Sequence, residues 1–258
     1  MSLVVTPVPP FPGLNDWAQL ISFRPPELIQ AGVNGRFGRR ACHAIEEAKG
    51  PINLDYYPVR VSALPSGTAS GKELLEKVRR MLNAFIDHKP DGCVFNPYEQ
   101  LVDKPAWEPP FFQLGFPGAV LSIDIWTSIP TGSINVEDGS VVLSEWAEDH
   151  WIFSTLWTPN DLTHPVSGNR QFGFFPTTNG EFIFYTRGAD RLTTWIDELV
   201  GGLSFAGAHK LWSSFQRRLT SFVQNNGGKA HIEVPISNRY DWETVQSSYF
   251  KPVVPWVA

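Results

Sequence analysis

The sequence predicts an α+β fold in which one curved antiparallel sheet wraps a long C-terminal helix. Three observations carry that prediction. Between about residues 118 and 187, short aromatic-rich segments follow one another with turn residues between them. From about 190 to 226 the apolar residues fall at helical spacing instead. The chain of 258 residues also holds 10 Trp, 18 Phe and 6 Tyr. That much ring surface suits a wide core or a lined pocket.

The elements follow in order. Residues 1–30 hold Pro7, Pro9, Pro10, Pro12, Pro25 and Pro26, so irregular chain is expected there, with short helical turns at 16–23. Trp17, Leu20, Ile21 and Phe23 give this stretch reason to pack on the body. Residues 41–48 read as a short helix. Residues 56–64 alternate Tyr57, Val59, Val61 and Ala63 against Pro58, Arg60 and Ser62, a first strand with Pro58 at an edge or start. Ser70 and Glu73 form a capping box, followed by the apolar stripe Leu74, Leu75, Val78, Leu82, Phe85 and Ile86, so a helix is expected over 71–87. Residues 96–118, with five prolines, read as a long connection holding at most one short strand. The β block then runs through hairpin turns expected at Glu137-Asp138-Gly139, Glu148-Asp149 and Thr177-Thr178-Asn179-Gly180. About six or seven strands are expected.

Two helices follow, one through Leu192, Trp195, Ile196, Leu199 and Val200 that stops at Gly201-Gly202, and one at 208–225 that ends at Asn225-Asn226-Gly227-Gly228. A strand at 231–236 and an aromatic tail complete the chain. This divides it into a proline-rich extension (1–55) packed on the body, a single α+β domain (56–236) and a C-terminal tail (237–258).

Composition excludes several classes. Net charge is −5, and the pairs Arg39-Arg40, Arg79-Arg80 and Arg217-Arg218 are scattered, so nucleic-acid binding is not expected. Cys42 and Cys93 are too few for a disulfide scaffold and lack the spacing of a zinc ribbon. The six histidines show no metal-ligand spacing, and no nucleotide or cofactor motif is present, so neither metal nor cofactor is expected. No stretch reaches the ~18 apolar residues of a membrane span, and the N-terminus lacks the charged start of a signal peptide. A soluble, cytoplasmic protein is the expectation, with export by a route that needs no cleaved signal left open.

One segment is similar to a known family. Thr155-Leu156, His164-Pro165, Ser167-Gly168, Phe172, Asn179-Gly180 and Phe182 resemble the stretch T-L…H-P-x-S-G-x-x-x-F…D/N-G…F of an uncharacterised START-like, or helix-grip, family of bacteria and plants. The resemblance covers about residues 70–195, with residues 157–163 lengthening the T-L to H-P spacing. It implies a curved sheet closed by the terminal helix over an apolar cavity, and it implies no particular activity.

The candidate sites follow from that architecture. Alternation aims one face of each strand inward, and the rings expected to line the cavity are Trp126, Trp151, Phe153, Phe172, Phe174, Phe182, Phe184 and Trp212. On β-strand 182–185 either Phe182 and Phe184 or Ile183 and Tyr185 face in. The polar loop expected at 164–170 offers His164 and Arg170 as head-group contacts at a cavity mouth. Asp124, between Ile123 and Ile125, is a candidate buried carboxylate, and its meeting Glu145 and His150 would make an acid/base site. Asp190 is placed to cap the last helix, with Arg187 bridging to a carboxylate. The leading reading is a soluble protein that binds a hydrophobic small molecule. The alternatives are a cyclase- or hydrolase-like cavity enzyme on a lipid or polyketide-like substrate, and an interaction or toxin-type module with no small-molecule ligand.

Overall fold

A single antiparallel sheet, apolar on both faces, organises the chain, as seen in a computed structural model that describes residues 14–89, 91–110, 118–129, 132–193 and 195–249. Its strands are β1 (Lys49–Ala63), β2 (Gly92–Pro97), β3 (Val120–Ile129), β4 (Gly132–Trp146), β5 (His150–Thr158), β6 (Leu162–Thr163), β7 (Val166–Pro176), β8 (Phe182–Leu192), β9 (Lys229–Ile232) and β10 (Ile236–Tyr240). The order across the sheet is β10-β1-β8-β7-β5-β4-β3-β2, with β9 on β1 and β6 on β5. Among the described residues, ten strands thus replace the six or seven expected. The extra ones are short edge pieces whose few residues carry little alternation.

The helices are α1 (Leu14–Ser22), α2 (Glu27–Phe37), α3 (Gly71–Arg80), α4 (Asp103–Trp107), α5 (Trp195–Asn225) and α6 (Trp242–Tyr249). The capping box forms at α3. The Ser70 hydroxyl accepts from the Glu73 N–H at 3.2 Å, and the Glu73 carboxylate accepts from the Ala69 N–H at 2.7 Å. α5 is one helix of 31 residues, not two. Gly201 and Gly202 lie inside it, because two glycines weaken a helix by only about 1 kcal/mol each and do not oblige it to stop.

α5 lays Trp212, Phe215, Leu219 and Val223 along one stripe against the concave face of the sheet. That face supplies Tyr57, Val59 and Val61 from β1, Trp151 and Phe153 from β5, Phe172 from β7 and Phe184 from β8. Alternation then sends Tyr56, Ile152, Ile183 and Tyr185 to the convex face, where Trp17, Leu20 and Ile21 of α1 and Val245 of α6 bury them. α2 covers the neighbouring convex strip with Ile29, Val33 and Phe37 over Val120, Val142 and Leu156. An antiparallel sheet with one wet face alternates cleanly. This one is covered twice, and its strands accordingly read as apolar on both sides.

Three local predictions fall for physical reasons. Glu137, Asp138 and Gly139 do not turn the chain. They lie within β4, opposite Ile125, Asp124 and Ile123, where the register slips between Ile125 and Trp126. Turn-forming residues here serve a β-bulge. The stretch expected as a loop at 164–170 is strand from Val166 onward. Its polar residues are satisfied laterally: Ser154 donates to the Asn169 side chain at 2.6 Å, and the Gly168 N–H donates to Thr155 Oγ1 at 3.0 Å. Pro58 is not at a sheet edge. β10 pairs with Ile52 to Tyr56 and β9 with Val59 to Ala63, so the outer partner of β1 is split at the residue that has no N–H to donate.

A curved antiparallel sheet of this strand order, holding the C-terminal helix α5 against its concave face, is a helix-grip α+β fold.

Candidate functional site

The concave face changes character along its length. In one half the rings pack on one another. Phe172 is fully buried, stacked on Trp151 at 4.7 Å between centroids and met edge-on by Trp212 at 5.6 Å and Phe215 at 5.7 Å. Toward the N-terminal half of α5 the same face becomes charged.

Register explains how the charges meet. Asp55 of β1 and Arg170 of β7 are both paired with Gly188 of β8, one from each side. The middle position of this row carries no side chain. The guanidinium of Arg170 therefore lies flat across β8 and reaches Asp55 Oδ2 at 2.7 Å. A Cβ at position 188 would stand 2.2 Å from Arg170 Nη2. Arg170 also donates to Thr186 Oγ1 at 3.3 Å, sits 3.8 Å from Asp190 Oδ2, and covers the face of Trp212 at 4.2 Å. Asn53 Nδ2 donates to Asp55 Oδ2 at 3.2 Å. Asp55 Oδ1 is buried and, among the described residues, has no hydrogen-bond partner. Two residues further along β1, on the same face, the Tyr57 hydroxyl meets Nδ1 of the exposed His209 at 3.0 Å.

Side-chain exposures are 2% for Asp55, 13% for Arg170 and 14% for Asp190. Burial alone would lower the pKa of Arg170, but the Asp55 and Asp190 carboxylates outweigh it and hold the guanidinium charged. Burial raises the pKa of Asp190, and the neighbouring Asp55 carboxylate adds to the rise against the pull of Arg170. The set offers a fixed cation, a carboxyl whose proton affinity is raised, and a buried acceptor oxygen left over. Among the described residues, no group of three or more His, Cys, Asp or Glu is placed to hold a metal ion.

Of the residues anticipated from sequence, Trp151, Phe153, Phe172, Phe184 and Trp212 line the concave face, and Phe174 and Phe182 pack partly buried against them. Trp126 does not join them. It follows Ile125, which faces the concave core, so it points the other way, with the Lys89 ammonium 3.6 Å from its ring centre. Both faces of β3 carry apolar residues, and alternation alone could not orient it. Arg170 is in the charged set, on a strand.

His164 is buried rather than at a mouth. It lies against Gly139, where a Cβ would come within 2.5 Å of its ring. Its Nδ1 is engaged by the backbone of Val166 at 2.9 Å, and burial pushes its pKa down to about 4. Asp124 is half-buried on the convex side, hydrogen-bonded by Asn96 at 3.2 Å. Its pKa is raised by burial and by the nearby Asp138 and Asp161. It does not meet Glu145 and His150, which do meet each other at 2.8 Å. Asp190 lies within β8 and caps no helix, and Arg187 Nε donates to Gln171 Oε1 at 2.6 Å.

Sequence reasoning missed Asp55, Tyr57 as a polar group, and His209. The signal was present: in Asn53-Leu54-Asp55-Tyr56-Tyr57 the polar residues fall in phase with the inward-facing Val59 and Val61.

No protein-family model matches the chain, and no curated protein matches it. Solved structures of similar fold include the di-domain ARO/CYC protein StfQ from the steffimycin biosynthetic pathway, at 14% identity over 70% of this chain and 52% of that one, with a TM-score of 0.36. The chain thus spans about half the length of that protein. Truncated norcoclaurine synthase from Thalictrum flavum is 8% identical over 68% of this chain and 96% of that one, with a TM-score of 0.40. A protein from Nitrosomonas europaea is 16% identical over 67% and 95%, with a TM-score of 0.36. Among the described residues no helix is long and apolar enough to cross a membrane.

Proposed function

We propose that the protein binds a hydrophobic small molecule between the concave face of the sheet and α5. The apolar body of the ligand rests against Trp212, at the border of the ring cluster, and its polar end donates a hydrogen bond to Asp55 Oδ1. The observation that carries this reading is that oxygen, a buried carboxylate atom without a partner among the described residues, at the junction of the ring cluster and the charged set. An unsatisfied buried acceptor costs about 1–3 kcal/mol, and more when charged. Buried ion pairs replaced by well-packed apolar residues are often neutral or stabilising. Stability alone therefore gives no reason for Asp55, Arg170 and Asp190 to sit where they do, whereas a ligand that supplies the missing donor does. Native mass spectrometry of the purified protein tests this. A mass excess that disappears on organic extraction is expected, and an extract without any small molecule from protein that also binds no apolar probe would overturn it.

A second reading, a cavity enzyme using acid/base chemistry, is favoured by one observation. The Asp190 carboxyl, its proton affinity raised by burial, lies beside Arg170 on the same face as the Tyr57–His209 pair. In that reading Asp190 gives or takes the proton, and Arg170 stabilises negative charge that develops on the substrate. Turnover abolished by Asp190→Asn with binding retained would select the enzyme. Binding without any chemistry in the wild type would select the carrier.

A further inference from the structure

The convex face holds a hollow, separate from the site proposed above. It is a pocket of about 200 Å³ between the end of α1 and the strands β4, β5, β7 and β8. Its position follows from a bulge. Leu143 of β4 pairs with Phe153 on the concave side, but Glu145 pairs with Ile152, so Ser144 is the extra residue and Glu145 is turned onto the convex face. There it meets His150 Nε2 at 2.8 Å, while His150 Nδ1 meets Asp149 at 2.7 Å. The roof is pinned as well. The Asn169 side-chain amide donates to the Leu20 carbonyl at 3.0 Å and the Phe23 carbonyl at 3.1 Å, satisfying carbonyls that the end of α1 leaves open. The pocket is therefore preformed.

Its polarity is graded from floor to lip. On the floor, Gln171 and Arg187 are 6% and 7% exposed. Gln171 Oε1 is used twice, accepting from Arg187 Nε at 2.6 Å and from the Tyr185 hydroxyl at 3.1 Å. Those two donors fix which way the amide points and leave its NH₂ group facing the pocket. The positive charge and the unspent donor thus lie deep. The negative charge lies at the lip, where the Glu145 side chain is 42% exposed and held by His150. Leu20, Phe23 and Ile152 supply the apolar wall. An engineered cavity of about 150 Å³ accepts benzene, so this one suits roughly eight heavy atoms.

We infer that this pocket binds a small aliphatic carboxylate, its head group on Gln171 and Arg187 and its short apolar body against Leu20, Phe23 and Ile152.

Sodium 4-methylpentanoate and 4-methylpentylamine are matched probes of this size, and saturation-transfer NMR or calorimetry on the full chain compares them. The acid is expected to bind saturably and the amine at least about tenfold more weakly, since the deep charge is positive. Gln171→Glu keeps the acceptor for Arg187 and Tyr185 but sets a negative charge against the head group. It should weaken the acid about tenfold or more while the protein stays folded by thermal unfolding. Phe23→Trp narrows the lip without touching Gln171 and should also weaken binding. Lys210→Ala, at an exposed position of α5, should leave it unchanged. No saturable binding of the acid, equal binding of the amine, wild-type affinity in Gln171→Glu, or loss in Lys210→Ala would each overturn the inference.

Discussion

The two halves of the concave face do opposite things with the same backbone. Around Phe172 every inward position is a ring or an aliphatic group, and each meets others at ordinary ring-contact distances. Around Gly188 the inward positions are Asp55, Arg170, Thr186 and Asp190, held by a network that leaves one carboxylate oxygen over. The first half needs no explanation beyond packing. The second spends desolvation energy that an apolar surface would not require. Within one sheet, the half that stability explains is where the fold is held, and the half that stability does not explain is where function is to be sought.

One substitution in each half, followed by repair, should expose the difference. Phe172→Ala is expected to cost about 3–5 kcal/mol, from lost burial plus a cavity, read from urea unfolding midpoints. Arg170→Met should cost a similar about 3–5 kcal/mol, because it leaves Asp55 and Asp190 buried without their cation. The two part company on repair. Combining Arg170→Met with Asp55→Asn and Asp190→Asn removes every charge and should recover most of that loss. If the triple variant is no more stable than Arg170→Met alone, the charged half contributes to stability and the comparison breaks.

The next effect is pH-dependent. His164 is buried with its pKa pushed down to about 4, below the ~6.5 it has when unfolded. Protonation therefore favours the unfolded chain. The stabilising contribution is complete above about pH 6.5 and is lost as the pH falls toward 4, amounting to about 3 kcal/mol at 1.36 kcal/mol per pH unit. The difference in unfolding free energy between the wild type and His164→Gln should carry this slope, and a flat difference across that window would contradict the burial of a neutral ring. The smallest effect is Tyr57→Phe, which removes the hydrogen bond to exposed His209 and should cost at most about 1 kcal/mol. A larger loss would mean that the pair is coupled to the charged set.

Much of the apolar half was legible in the sequence, and little of the charged half. Alternation in Phe182-Ile183-Phe184-Tyr185 allowed only two choices, and Phe184 in with Ile183 and Tyr185 out is one of them. The Asn179-Gly180 turn and the capping box at Ser70 declared themselves because their backbone chemistry is local. The charged half depends on register. Nothing local announces that Asp55, Gly188 and Arg170 share one row, since Asp55 lies more than a hundred residues before the other two and joins them only when β1 pairs with β8. The polar residues from Ser167 to Asn169 looked like a loop because their partners, Ser154 and Thr155, lie on another strand. The cover on the convex face misled in a different way. It made both sides of β3 apolar and left the orientation of Asp124 and Trp126 open.

The central claim is that the concave face takes up a hydrophobic molecule at the border between its two halves. Titration of the native protein with the uncharged probe N-phenyl-1-naphthylamine tests it most directly, with Phe184→Asp and the uncharged triple variant in parallel. The account expects saturable fluorescence enhancement in the wild type, its loss in Phe184→Asp because a carboxylate would have to be buried among rings, and weakened binding in the folded triple variant. No enhancement in the wild type, or equal affinity in all three folded proteins, would contradict it.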